Sequence, residues 1–241
     1  MMAETLFPLI AATIAFVGSH FLLSAQPVRA PLLARLGRWG FTVLYSAAAA
    51  GTFVWMCLAY ARAPLIDLWA TPDWLLWLAM AVNLAAAILV ACGYLTPNPT
   101  ALFGARVLGR EDPAPGIFKV TRHPVMWGIA LWSAMHLVAT GDSASFVFFG
   151  ALAALALAGA AHIDARRARE GDADWPRLVA ATSFWPFAAA LEGRARISLA
   201  GIGWVRIGIG ALLFLLLLWG HEWIIGVIVA PWSIPALPPG L

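Results

Sequence analysis

The chain has 241 residues, of which 62% are hydrophobic and only 11% charged, against ~25% charged residues in an ordinary soluble domain. A soluble domain of this size could not hide so much apolar surface, so lipid must cover part of it. The net charge of +3 does not point to nucleic acid, because the single Lys and the 14 Arg are scattered over several loops instead of gathering on one face.

Six apolar segments follow one another: Thr5 to Leu23, Gly40 to Tyr60, Asp73 to Leu95, Pro124 to Ala139, Ser143 to Ile163, and Gly203 to about Gly220 or on to Ala230. Most have the ~17–25 residues that a crossing needs, and the fourth is the shortest. The expected fold class is therefore all-α, a polytopic transmembrane helical bundle of about six spans. Residues 1–241 are read as a single membrane domain without internal repeats.

The loops orient the bundle. Arg29, Arg35 and Arg38 lie between spans one and two. Arg106, Arg110, Lys119 and Arg122 lie between three and four. Arg166, Arg167, Arg169, Arg177, Arg194, Arg196 and Arg206 lie between five and six. Only Arg62 falls on the other side. Basic loops stay cytoplasmic, so both termini are expected on the non-cytoplasmic side. Trp39, Tyr60, Trp69, Trp74, Trp219, Trp223 and Trp232 sit near the predicted span ends, where amphipathic rings anchor.

The first apolar run has no basic residue before it and carries Glu4, so it reads as a retained span and not a cleaved signal. Residues 164–200 are too polar to cross. Trp175, Phe184, Trp185, Pro186 and Phe187 suggest an element on, or re-entering from, the cytoplasmic surface. The tail 231–241 is Pro-rich and expected to be irregular. Cys57 and Cys92 lack a CxxC spacing and read as small apolar residues, not as a disulfide.

Ionisable groups within lipid are costly and ask for a reason. His221 with Glu222 reads as an interfacial pair. His162, two residues before Asp164, reads as a solvated helix end. His123 opens span four beside Pro124, where proline at the first helical position suits a helix start. His20 and His136 are flanked by apolar residues and are either structural bridges or ligands. Neutral imidazole binds haem iron well, and helical histidines can grip a haem within a bundle. Without CxxCH, covalent attachment is excluded. HExxH, a P-loop and Gly-x-Ser-x-Gly are also absent.

The block Thr121-Arg-His-Pro-Val-Met-Trp127-Gly128, with Leu131-Trp-Ser-Ala-Met-His136-Leu and Gly141-Asp142, resembles the NnrU family. His162 with Asp164, Thr182-Ser183, Pro186-Phe187, Gly193-Arg194, and upstream Ser19-His20-Phe21, Leu36-Gly37, Phe41 and Leu44-Tyr45 extend the likeness over roughly residues 5 to 195. The family takes its name from bacterial genes linked to nitrite and nitric oxide reduction, and it includes the plant 15-cis-ζ-carotene isomerase, which uses haem b. The resemblance implies a bacterial inner (cytoplasmic) membrane, haem b as cofactor, and His20 and His136 as its axial ligands. Arg122, Pro124, Trp127, Gly128, Asp142 and Asp164 then support the motif.

Depth alone favours another set. At ~1.5 Å per residue, His20 lies ~22 Å and His136 ~5 Å below the outer face. His123 and His162 share the inner half with His20, but the resemblance is preferred. Three functions stay open. The first is haem-dependent chemistry on a lipid-soluble polyene, such as cis-trans isomerisation, or in nitrogen-oxide reduction. The second is a non-enzymatic assembly or electron-supply component of denitrification. The third is methyl transfer, since Arg122-His123-Pro124 with Gly128 is also similar to the turn of isoprenylcysteine and phospholipid methyltransferases.

Overall fold

The computed structural model describes residues 5–100, 111–171 and 173–226. The Pro-rich tail 231–241, Arg106 and Arg110 lie outside them. Among the described residues the regular elements are helices: α1 (Phe7–Ser24), α2 (Gln26–Tyr60), α3 (Asp73–Leu95), α4 (Pro124–Thr140), α5 (Ser143–Glu170), α6 (Trp175–Ala181), α7 (Ala188–Leu191), α8 (Leu199–Ile202) and α9 (Trp204–Ile225). A 3-10 turn at Gly116–Lys119 precedes α4. The all-α membrane fold read from composition is therefore the one observed.

Five helices, α1, α2, α3, α5 and α9, are long and apolar enough to cross a membrane. The sixth apolar segment, α4, has 17 residues, ~26 Å of axis, slightly short of the ~30 Å hydrocarbon core. Trp39, Trp74, Trp219 and Trp223 are all exposed, as aromatic anchors at span ends should be.

Local chemistry sets the boundaries. Pro8 lies in the first turn of α1, and Pro124 opens α4, where a missing N–H costs nothing. Asp142 caps α5, its carboxylate accepting from the Ser145 backbone N–H at 2.8 Å. Asp142→Ala should lower stability by about 1 kcal/mol, read as a shift in thermal midpoint, as for other lost caps.

Two stretches expected as loops are helical. Residues 26–36, with Arg29 and Arg35, form the first part of α2. Gly37 at φ 67°, ψ 179° then breaks the helix, a conformation open to glycine. The expected span Gly40 to Tyr60 is the second part. Likewise α5 runs on past Ile163 to Glu170. Arg166, Arg167, Arg169 and Glu170 are good helix formers, and the basic groups suit the C-terminal dipole.

The chain divides into two compact units. Unit 1 holds residues 1–70 and 136–155. Within it α1 and α2 pack antiparallel, with Phe16 against Phe53 and His20 against Tyr45. A turn closes one end, where Asp67 pairs with Asp142 and Leu68 N–H donates to Gly141 O at 2.7 Å. Gly141 has φ +72°, and a Cβ there would sit 2.5 Å from Trp69 O, so only glycine fits. Unit 2 holds residues 71–135 and 156–241. Its core gathers Leu89, Cys92, Ile117, Phe118, Trp175 and Leu178. In it α3 lies close to α4 and α9 through Gly93, Gly128 and Gly210. Both cysteines are free thiols, Cys92 fully buried.

Candidate functional site

The predicted site residues fall into two groups, one in each unit. In unit 2 the turn into α4 builds a buried polar network. Thr121, Arg122 and His123 are 0%, 7% and 3% exposed, so each of their polar groups needs a partner. Asp164 on α5 supplies the main one. Arg122 Nη2 donates to Asp164 Oδ2 at 2.7 Å, and Nε donates to the same carboxylate at 3.1–3.2 Å. His123 Nε2 donates to Asp164 Oδ1 at 2.6 Å. Arg122 Nη1 donates to Thr182 Oγ1 at 3.0 Å, and that hydroxyl donates on to Leu178 O at 2.6 Å. The guanidinium also lies 5.8 Å from the Trp175 ring centre, within cation–π range.

Backbone groups complete the junction. Arg122 N–H donates to Ser183 O at 2.8 Å, and Phe187 N–H to Val120 O at 2.7 Å. Phe184 O accepts from both Thr121 Oγ1 at 2.7 Å and Trp127 Nε1 at 2.8 Å. Arg194 Nη1 caps α6 by donating to Ala180 O and Thr182 O, each at 2.8 Å. Pro124 and Gly128 serve packing here: Gly128 lets α4 approach Ala86 and Val90 of α3.

This arrangement is a latch. A carboxylate only accepts, so His123 Nε2 carries a hydrogen, and the ring is held on Asp164 at 3% exposure. Arg122 spends its donors on Asp164 and Thr182. Asp164, expected beside a solvated helix end, is instead the centre of the network. Spacing could not show this, since Arg122, Asp164 and Thr182 are far apart in the chain. The only signal was that each belongs to a motif fragment.

Unit 1 holds His20 and His136, both half-buried. His20 Nδ1 donates to Phe16 O at 2.7 Å. The carbonyl can only accept, so Nδ1 carries a hydrogen, and in the neutral ring Nε2 keeps its lone pair. The ring is held edge-on against Phe16 (4.6 Å) and Tyr45 (5.5 Å). His136 lies 5.0 Å from Phe149. Ring contacts link the two imidazoles through Phe16, Phe53, Phe148 and Phe149, with Tyr60 beside Phe148 and Phe149. No group of three or more His, Cys, Asp or Glu suited to a metal ion occurs among the described residues. His162 is half-buried on α5 and His221 on α9, both in unit 2.

A family model described as NnrU protein matches residues 8–229, nearly the whole chain, including the latch and both unit 1 histidines. The chain belongs to the NnrU family. No curated protein and no solved structure matches it. In this NnrU protein the Arg122-His123-Pro124 turn is a buried structural junction.

Proposed function

We propose that this NnrU protein holds haem b in unit 1 and works on a lipid-soluble, elongated polyene. The observation that carries this reading is His20. Its Nδ1–H is fixed on a backbone carbonyl and its Nε2 is left unprotonated, the outer hydrogen bond that orients ligating histidines. His136, in the same unit, is the second residue that would hold the group, on the family resemblance. His123 lies instead in unit 2, buried within the Asp164 network.

When bound, the haem supplies a redox-active iron able to lower the barrier to rotation about a double bond. The chain's own residues hold and exclude. Phe16, Phe53, Phe148, Phe149 and Tyr60 form an aromatic strip. Tyr45 and Tyr60 stand 15 residues apart on α2, ~22 Å of axis. A strip of that length suits a long polyene better than a small nitrogen oxide. The latch tells against methyl transfer, because Arg122 and His123 are buried and turned onto Asp164 and Thr182.

In this reading α4 is the sixth span. Both termini face away from the cytoplasm of a bacterial inner membrane, and the basic loops face inward.

The visible spectrum of the protein purified in mild detergent tests the proposal. A Soret band is expected, lost in His20→Ala or His136→Ala. A band unchanged in His20→Ala would refute the assignment. A colourless protein, after expression with haem supply, would leave a non-enzymatic assembly or electron-supply role.

A further inference from the structure

The segment 171–203 joins α5 to α9 in unit 2 and so emerges on the basic face of the membrane. Within it the turn 183–187 is built rigidly. Ser183 Oγ donates to Trp185 O at 2.7 Å and accepts from Ala189 N–H at 2.9 Å. Phe187 is the one non-glycine at positive φ (66°) among the described residues, and its N–H is tied to Val120 O. Strain of this kind persists only where the surroundings impose it, and it marks candidate functional positions.

The strained turn presents apolar side chains outward instead of hiding them. Trp185 is 63% exposed, Phe187 55% and Leu191 88%. Water is an unfavourable environment for three such groups in one short segment. The acyl–headgroup boundary suits them, because aromatic rings concentrate there. Arg169 and Arg196 are also exposed, and Arg196 has no partner among the described residues. Charge complementarity therefore favours anionic headgroups.

We propose that Trp185, Phe187 and Leu191 form a wedge inserted into the leaflet on the basic face, with anionic phospholipid headgroups bound at Arg196 and Arg169. The wedge is continuous with the Arg122 latch through Phe184, whose carbonyl Thr121 and Trp127 share. Lipid binding thus braces the turn into α4. The inference needs only that the chain spans a membrane and is independent of haem.

Nitroxide labels at Phe187→Cys and Leu191→Cys, in a Cys57→Ala background, test it on the full chain in vesicles. Cys92 is sealed from the label by complete burial. Glu192→Cys, on the neighbouring exposed position, is the aqueous control. In vesicles with roughly one-third phosphatidylglycerol, both labels should collide with oxygen in preference to a water-soluble nickel complex, severalfold more than the control. The preference should weaken in phosphatidylcholine alone and with Arg196→Glu. Nickel access equal to that of the control would overturn the wedge. Equal immersion in both lipids, unaffected by Arg196→Glu, would overturn the anionic-lipid assignment.

Discussion

Arg122→Ala is expected to destabilise the protein by about 3 kcal/mol, the lower part of the ~3–5 kcal/mol seen when one partner of a buried ion pair is removed. The lower part applies because the Asp164 side chain retains 20% of its exposure, whereas that of Arg122 retains 8%. The loss comes less from the attraction itself than from what remains: a carboxylate facing only His123, and a Thr182 hydroxyl without its donor. Asp164→Asn should cost less than Asp164→Ala, since the amide oxygen still accepts one hydrogen bond. A paired replacement, Arg122→Met with Asp164→Leu, should be milder than either single truncation, because no charge is left unpaired. Unfolding midpoints of the purified protein in detergent read the series. A latch of no structural weight would leave Arg122→Ala within a few tenths of a kcal/mol of the parent. That outcome would return Arg122 to the list of free functional groups.

Apolar run length was enough to mark the five helices able to cross a membrane, because lipid imposes the same requirement on every span: an apolar exterior and internally satisfied backbone. The expected boundaries at Asp73, Leu95, Pro124 and Ser143 coincide with those of α3, α4 and α5, where proline or an acidic cap punctuates the chain. After Ile163, where no such punctuation stood, α5 ran further than polarity suggested, since arginine tolerates a helix as readily as a loop; α2 starts early, at Gln26, with Pro27 in its first turn.

The site was legible only in part. His20 stood out because an imidazole between apolar neighbours needs a partner, and its proton arrangement follows from a carbonyl one turn away. Asp164 did not stand out. An acidic residue near three arginines looks solvated, and nothing in the one-dimensional sequence says that Arg122 and His123 fold onto it. The roles of Thr182 and Phe184 were hidden for the same reason: one receives a guanidinium nitrogen, the other offers a carbonyl, and neither task leaves a compositional trace.

A close approach of helices in unit 2 leads to the other large effect. Gly128→Val should prevent α4 from docking on α3. Even a bare Cβ at residue 128 would meet Val90 Cγ2 at 2.6 Å, Ala86 O at 2.8 Å and Val90 N at 3.2 Å. Two of these are backbone atoms, which cannot rotate away as a side-chain end can. The cost should therefore exceed the ~1–3 kcal/mol of ordinary overpacking. Small residues allow such contact between membrane helices, where dispersion and close packing replace the hydrophobic drive available in water. Because α4 carries the Arg122 turn at its start, its displacement should also loosen the Asp164 latch, so Gly128→Val combined with Arg122→Ala should cost less than the sum of the two. Gly159→Ala is the matched control. Nothing lies within 4 Å of a Cβ there, and alanine is the better helix former by ~1 kcal/mol, so its unfolding midpoint should stay level or rise. If Gly128→Val behaved like Gly159→Ala, the close α3–α4 contact would not be what positions the Arg122-His123-Pro124 turn.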